Sequence, residues 1–310
     1  MSNPFKNKQV LNFHHADFDG AISGSCVSAT LNNNSKSKAF SIGKVGDAVL
    51  ENINNTDIIL LTDISIYGEY LEKVSKEINE NKLIIYDHHI NQQTLETFSK
   101  FNAKSDSVLD KDVCGATIAW YKLMEHFPNN SKLQDLETIV YLSDVYDMWR
   151  LDNEDFEYAA SINDLLDYKI GYTPDAFRER FLKNPDPFNL SYEEKMIIER
   201  KKIRHEKSLK QMENEAMLFD FKNHTFVLVE ADVTDYTKMH FMNQVLVEEF
   251  VDMFIFKYTG TTQCSVRVPS TSKIVDLNDW FDEFGCIGHA RAGGIGQKEF
   301  YKLQHILDSI

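Results

Sequence analysis

The chain has 310 residues, of which 43% are hydrophobic and 26% charged, as is ordinary for a globular protein with room for two domains. Its 48 Asp and Glu against 33 Lys and Arg give a formal net charge of −15. This charge disfavours long duplex nucleic acid as a partner, because nonspecific affinity for a duplex comes from cations that neutralise phosphates. A small anionic substrate remains compatible with it, provided that a bound metal pair makes its pocket locally positive.

The first residues, the lengths of the apolar runs and the spacing of the cysteines predict the cellular compartment. Residues 1–9 are polar without the apolar core of a signal peptide, and nowhere do about 18 apolar residues run together. We therefore expect a cytoplasmic protein with no membrane partner. The cysteines are widely spaced and form no CxxC pair, so we expect buried free thiols at Cys26, Cys114, Cys264 and Cys286.

Strands and helices alternate through the first half of the chain. Apolar runs predict strands over 10–13, 39–42, 58–61 and 83–86, and amphipathic spacing predicts helices over 21–31, 67–79, 112–127 and 133–149. Such alternation implies right-handed crossovers and a parallel sheet. We expect an α/β fold with a doubly wound sheet.

The sequence Asn-Pro-Asp-Pro at 184–187 is the clearest break in the chain. A highly charged helix is predicted over 192–217, followed by strands over 226–230, 253–258 and 263–268 and helices over 236–250 and 276–284. We therefore predict a parallel-sheet domain over 1–185, a linker helix over 186–217 and a smaller mixed α/β domain over 218–310.

Three of the predicted strands end in acids and imidazoles. His15, Asp17 and Asp19 follow the first, Asp63 follows the third, and Asp87, His88 and His89 follow the fourth. The carboxyl ends of parallel strands meet at one edge of a sheet, so we expect these side chains to converge. Carboxylates and imidazoles suit Mn²⁺ or Mg²⁺ better than they suit thiolate-bound zinc.

The positions suggest how two ions could share the site. His15 and Asp17 could hold one ion, while Asp63 is placed to bridge it to a second held by Asp19, His88 and Asp144. Each residue alone has a plainer explanation, since an acid before a glycine is more often a turn or a helix start and Asp63 could cap the next segment. His14 is expected to be structural, because strand alternation turns it away from His15. Six ligand-type residues at three strand ends and one helix are hard to explain as separate accidents.

These residues resemble the four ordered motifs of the DHH phosphoesterases. The motifs are His15–Gly20, Asp63, Asp87–His89 and Asp144, and the glycine-rich segment 288–294 resembles the accessory carboxyl-terminal DHHA1 domain. The resemblance implies two Mn²⁺ ions, with Mg²⁺ or Co²⁺ as substitutes, held by His15, Asp17 and Asp63 and by Asp19, Asp63, His88 and Asp144. It also implies that Asp87 orients an imidazole, that His89 lies near the scissile phosphate, and that a terminal phosphate or base is gripped by His289, Arg291, Gly293 and Gly294.

Two motifs depart from the best-known branch of the family. The first is the compact His-x-Asp-x-Asp-Gly form rather than the longer form of the nano-RNase/pAp-phosphatase branch. The fourth resembles the Asp-x-x-Asp-x-Trp form of nano-RNase B-like members, and it leaves open whether Asp144 or Asp147 is the ligand. We favour Asp144, because it aligns with the metal-binding Asp of the other branches.

The function implied by this resemblance is metal-dependent hydrolysis of short oligonucleotides (nano-RNA) or linear dinucleotides to mononucleotides. Alternatives within the superfamily are a cyclic-nucleotide or cyclic-dinucleotide phosphodiesterase, a pAp phosphatase and a polyphosphatase. The absence of a basic stripe disfavours a processive exonuclease. A degenerate nucleotide-binding module is the non-enzymatic alternative, and a homodimer is left open.

Overall fold

The computed structural model describes residues 3–31, 34–66, 69–78, 82–89, 95, 99, 107–230, 234–269, 271–280, 283, 285–288 and 292–309. The chain forms two compact units, Met1–Ile198 and Glu199–Ile310. No helix in these ranges is both long and apolar enough to cross a membrane. The side chains of Cys26, Cys114 and Cys264 are buried free thiols, as predicted, and the side chain of Cys286 lies outside the described part of the structure.

The first unit is built on a five-stranded sheet in which every pair of neighbours is parallel. The strands lie in the order β2-β1-β3-β4-β5, with bounds β1 Val10–His15, β2 Ser35–Phe40, β3 Ile58–Thr62, β4 Leu83–Asp87 and β5 Val108–Leu109. This is a doubly wound order, in which the direction of winding reverses between β1 and β3. The predicted α/β fold is confirmed, and the crevice at this reversal is where open α/β sheets bind ligands.

The helices of the first unit cover the sheet or extend from it. Their bounds are α1 Phe18–Leu31, α2 Ile42–Asn52, α3 Glu69–Glu77, α4 Gly115–His126, α5 Ser131–Gln134, α6 Glu137–Asp147, α7 Phe156–Asn163 and α8 Pro174–Lys183, and α9 Tyr192–Glu215 crosses the boundary between the units. All five residues of β3 and of β4 are buried, which explains their unbroken apolar runs. One apolar cluster joins these strands to α2 and α3 through residues such as Val49, Leu61 and Val74.

Several predicted elements differ from the structure. The predicted strand over 39–42 is misplaced, because β2 runs Ser35–Phe40 and Ile42 begins α2. The sequence Ser-Lys-Ser-Lys looks like a loop, but β2 is an edge strand, where lysines are tolerated and discourage further pairing. The predicted helix over 133–149 is two helices, α5 and α6, and neither α7 nor α8 was predicted.

The second unit contains a six-stranded sheet in the order β10-β11-β9-β8-β7-β6. Only β7 and β8 are parallel among its pairs, so the sheet is mixed, as predicted. Its strands are β6 Met217–Phe221, β7 His224–Glu230, β8 Met253–Lys257, β9 Cys264–Arg267, β10 Cys286–Gly288 and β11 Ala292–Ile295, and its helices are α10 Asp235–Glu248 and α11 Phe300–Leu307. Its buried apolar residues form two separate clusters, one that includes Phe241 and one that includes Leu303.

Two predictions for this unit need comment. Of the predicted helix over 276–284, the structure describes a 3₁₀ turn, Leu277–Trp280, and a helical residue at 283, while 281, 282 and 284 lie outside the described residues. Residue 217 begins β6 instead of ending the charged helix. The compact units divide at 198, within α9, whereas the predicted domains end at 185 and begin at 218. The predicted domain limits remain a prediction.

Candidate metal centre

Four elements of the first unit bring acids and imidazoles together at the winding reversal of the sheet. Within the described residues, three groups present ligand atoms that all lie within 4.8 Å of one another. The groups are His15, Asp17 and Asp63; Asp19, His88 and Asp147; and Asp63, His88 and His89. The strands β1, β3 and β4 are neighbours, so their carboxyl ends necessarily deliver these side chains to one place.

Asp63 occupies the middle of the site and is 1% exposed. Neither of its carboxylate oxygens has a hydrogen-bond partner, although Oδ1 lies 3.2 Å from His88 Nε2 and Oδ2 lies 3.8 Å from His15 Nδ1. Burial, followed by the charges of Asp19 and Asp17, raises the pKa of Asp63 well above its usual value. A buried carboxylate that lacks donors and faces other acids calls for a cation.

The backbone of Asp63 holds an uncommon conformation that aims this carboxylate. Its φ is +58°, in the left-handed region, and its amide donates to the Tyr86 carbonyl at 2.8 Å. Residues other than glycine rarely adopt this left-handed conformation, and those that do are concentrated at functional sites. On the opposite side, a Cβ on Gly115 would lie 2.6 Å from Asp63 Cβ, so glycine is required for α4 to approach this closely.

His15 and Asp17 form a tight ion pair through His15 Nδ1 and Asp17 Oδ2. Burial raises the pKa of Asp17, but the hydrogen bond and charge of His15 outweigh it and bring the pKa to about 2. Burial lowers the pKa of His15, but Asp17 outweighs it and the result is a raised value. The pairing with Asp17 therefore favours the protonated form of the His15 imidazole.

Asp19 is positioned by the first turn of α4. The amides of Gly115 and Ala116 each donate to one of its oxygens at 2.7 Å, and Ser143 Oγ donates at 3.2 Å. His88 Nε2 lies 3.7 Å from Asp19 Oδ2 and 3.4 Å from Asp147 Oδ2, and it too lacks a hydrogen-bond partner. The buried Asp19 and the half-buried Asp147 thus both face one unpartnered imidazole nitrogen.

Asp87 orients the histidine pair. Its Oδ1 accepts from the His88 amide at 2.8 Å, the His89 amide at 3.2 Å and His89 Nδ1 at 2.8 Å, and the Ser65 hydroxyl donates to Oδ2. Burial lowers the pKa of His89, but Asp87 outweighs it and raises the pKa to about 9. This geometry agrees with the predicted orienting role of Asp87.

The structure separates the two acids between which the fourth motif left a choice. Asp144 Oδ1 accepts from the Cys114 amide at 2.9 Å, and Oδ2 accepts from Arg150 Nε at 2.6 Å. Asp147 lies one turn further along α6 and reaches His88. Of the two acids, only Asp147 belongs to one of the three ligand groups, while Asp144 pairs with Arg150, a cation just past the end of the helix. The assignment of Asp144 as the metal ligand stays a prediction.

The remaining predicted residues are not members of the three ligand groups or lie outside the described residues. His14 is fully buried, its Nδ1 donates to the His15 carbonyl at 2.8 Å, and burial lowers its pKa to about 4, in keeping with a structural role. Gly293 and Gly294 lie in β11, paired with strands on both sides. His289 and Arg291 lie outside the described residues, and the grip of these four residues on substrate stays a prediction.

The comparisons with known proteins agree with this site. Residues 9–147 match the family model described as DHH family, N-terminal domain. This confirms the resemblance over that segment, which holds every candidate ligand, while the nano-RNase B-like subtype and the DHHA1 assignment remain predictions. No curated protein matches this sequence.

Solved structures share the fold of the DHH segment and of the rest of the chain. A DHH-domain protein described as a member of a family of ribosomal proteins has a TM-score of 0.64 at 13% identity, covering 99% of this chain and 86% of its own. A pGpG-specific phosphodiesterase, PggH from Vibrio cholerae, has a TM-score of 0.61 at 13% identity, covering 97% and 98%. The exonuclease RecJ bound to manganese has a TM-score of 0.58 at 14% identity, covering 98% and 90%. At these identities the likeness establishes the fold alone.

Proposed function

We propose that this chain is a metal-dependent phosphodiesterase of the DHH superfamily. The observation that carries the proposal is the Asp63 carboxylate, which is buried without any donor among acids and imidazoles on three sides. Such an arrangement is costly unless a cation is bound. A module that only bound nucleotides would have no need to retain it.

The donor atoms fit two hard or borderline divalent ions. His15, Asp17 and Asp63 would hold one ion, and Asp19, Asp63, His88 and Asp147 the other, so that the two oxygens of Asp63 serve both. Oxygen and imidazole ligands suit Mn²⁺ and Mg²⁺, and the RecJ neighbour is described as bound to manganese. We propose Mn²⁺ as the ion used. When bound, such a pair supplies Lewis acidity and a nucleophile near neutral pH.

The chain's own residues contribute orientation and charge. Asp87 fixes the His89 ring and, against the opposing effect of burial, raises its pKa to about 9 when no ion is bound. Because Asp87 engages Nδ1, which lies 3.7 Å from Asp63 Oδ1, the Nε2–H group of this ring is the donor left for a phosphate oxygen. We assign His89 to the scissile phosphate and Asp87 to its positioning.

We propose short oligonucleotides or linear dinucleotides as the substrate class. The net charge of −15 supports this choice, because a long polyanion gains little affinity outside the metal site. A structural neighbour described as specific for the dinucleotide pGpG is consistent with it. The other phosphoesters weighed above are outcomes of the same test.

A substrate panel tests the proposal. Purified full-length protein with Mn²⁺ is given pApA, pGpG, RNA of 2 to 24 nucleotides, cyclic dinucleotides, pAp and polyphosphate. We expect 2-mers and other very short RNAs to be converted to mononucleotides and the 24-mer to be a poor substrate. Processive digestion of the 24-mer with 2-mers ignored would contradict the substrate class, and hydrolysis of nothing in the panel would contradict the activity.

A further inference from the structure

Arg150 is held in place just beyond the end of α6 by a tight reversal of the chain. The amides of Trp149 and Arg150 donate to the carbonyls of Tyr146 and Val145 at 3.2 and 3.1 Å, which is the Schellman pattern. Trp149 takes the left-handed position with φ +49°, usually filled by glycine. Its ring packs against Tyr146 and Phe156 with centroid distances of 5.6 and 5.7 Å. This packing supports a left-handed turn that brings Arg150 against Asp144 of the fourth motif.

The guanidinium of Arg150 is anchored on two sides and free on a third. Nε donates to Asp144 Oδ2 at 2.6 Å and Nη2 donates to the Asp112 carbonyl at 3.0 Å. Nη1 makes no hydrogen bond with any residue that the structure describes, and the side chain is 41% exposed. A structural arginine of the same unit, Arg180, uses all three of its nitrogens on protein oxygens. Arg150 therefore keeps an oriented donor for something other than the chain.

The surroundings indicate what that donor meets. Among the described residues, Arg150 is the one Lys or Arg side chain in an ion pair with an acid of the four motifs. Its partner Asp144 lies one helical turn from Asp147, whose Oδ2 is 3.4 Å from His88 Nε2. An anion that enters this acidic site would gain from a cation at its rim, and a guanidinium fork matches the oxygens of a phosphate.

We propose that Arg150 is a substrate-binding residue whose free Nη1 donates to a non-bridging oxygen of the substrate phosphate. The inference rests on the proposed function and adds to it a specific residue outside the predicted ligand set. Asp144 acquires a matching role as the carboxylate that holds the guanidinium in position. A purely structural Arg150–Asp144 pair would affect stability but not the affinity for phosphate.

Calorimetry on the full chain distinguishes the two roles. The protein is first titrated with Mn²⁺, and the Mn²⁺-loaded protein is then titrated with inorganic phosphate. A charge-assisted hydrogen bond predicts that Arg150→Gln weakens phosphate binding by roughly 10- to 100-fold. Arg204→Gln, which removes an exposed arginine of α9, is the matched control and should leave phosphate affinity within about twofold of wild type.

Further readouts keep the result interpretable if one variant is unstable. Arg150→Lys retains the charge but cannot serve Asp144, Asp112 and phosphate together, so it should weaken phosphate binding at least ~threefold. Mn²⁺ affinity should change little in either variant, and with pApA the loss should fall on KM more than on kcat. Unchanged phosphate affinity in a folded Arg150→Gln or Arg150→Lys protein that binds Mn²⁺ overturns this inference alone. A wild-type protein that binds no Mn²⁺ overturns the proposed function and this inference with it.

Discussion

Two carboxylates of the first unit are almost completely buried, yet their surroundings are opposite. Glu194 is 3% exposed, and it accepts from Arg180 Nε at 2.7 Å, from the Ser191 amide at 2.7 Å and from the Tyr172 hydroxyl at 3.2 Å. Asp63 is 1% exposed and accepts from nothing. Burial of an acid alone therefore does not identify a site in this protein, and what distinguishes Asp63 from Glu194 is that both of its carboxylate oxygens lack a donor.

The pKa values of Glu194 and Asp63 also differ according to whether the buried carboxylate has hydrogen-bond donors. Burial raises the pKa of Glu194, but the hydrogen bond from Arg180 outweighs it and the result is a lowered value. Asp63 has no such compensation, and its pKa is raised by burial and then by neighbouring acids. Glu194 stabilises the start of α9 through its reciprocal bonds with Ser191, whereas Asp63 is kept in a costly state that a bound cation would relieve.

Removing the charge of Asp63 should have the largest effect on activity and the smallest cost in stability. Asp63→Asn should lower Mn²⁺-dependent hydrolysis of pApA by ~10³-fold or more, because the ligand shared by both ions is lost. The unfolding free energy in urea with chelator should stay unchanged or rise, since an uncompensated buried charge disappears and Asn tolerates a left-handed φ. Asp135→Asn, at an exposed position between α5 and α6, is the matched control. Near-normal activity in Asp63→Asn would contradict the role of Asp63 as the ligand shared by both ions.

Glu194→Gln should give the opposite result. Loss of one partner from a buried ion pair leaves Arg180 uncompensated, so urea unfolding should show a destabilisation of ~3 kcal/mol. The Mn²⁺ affinity of the folded protein should be that of wild type. A loss of stability below ~1 kcal/mol, as is usual for exposed pairs, would show that the distinction between the two acids is wrong.

Asp144 and Asp147 of the fourth motif differ in the same way, since Asp144 accepts hydrogen bonds from protein donors and Asp147 faces His88. Asp147→Asn should weaken Mn²⁺ binding by at least the ~10- to 100-fold typical of residues that support a metal site. Asp144→Asn should weaken it less and should instead lower the unfolding free energy by ~1–3 kcal/mol, because the bonds from Arg150 and Cys114 are impaired. Calorimetric titration of both variants decides the matter, and the reverse order of Mn²⁺ affinities would restore Asp144 as the ligand.

The smallest expected effect is a shift in one titration. With chelator present, the His89 ring should titrate at about 9, because Asp87 outweighs the lowering effect of burial. The pKa of His89 is raised on folding, so the stability it supplies is fully present below its ordinary value of 6.5 and is lost as pH rises through about 9. Histidine ring NMR measures this value, and Asp87→Asn should bring it down towards 6.5. A wild-type His89 titrating near its ordinary value would contradict the pairing with Asp87.

The ends of the buried strands were predictable because each is marked by a short local pattern of residue types. A run of four apolar or aromatic residues followed by acids or histidines marks β3 and β4, and their common edge follows from the parallel order. The edge strand β2 was misplaced because solvent on one side removes the need for an apolar run. Only the three-dimensional pairing of residues far apart in the chain could reveal that Gly115 must approach Asp63 closely.

The choice between Asp144 and Asp147 shows where reasoning from the sequence stops. Both acids lie on α6 one turn apart, and a helix presents both to the same side. The choice depends on Arg150, which reaches Asp144 only because Trp149 adopts a left-handed conformation that nothing in its residue type predicts. The same turn places the guanidinium that we assign to substrate binding.

Manganese stoichiometry tests the central claim most directly. Wild-type protein and Asp63→Asn are each titrated with Mn²⁺ by calorimetry, and bound metal is counted after gel filtration. We expect two Mn²⁺ ions per wild-type chain and at most one, weakly bound, in Asp63→Asn. Two tightly bound ions in Asp63→Asn, or none in the wild type, would contradict a centre built around this carboxylate.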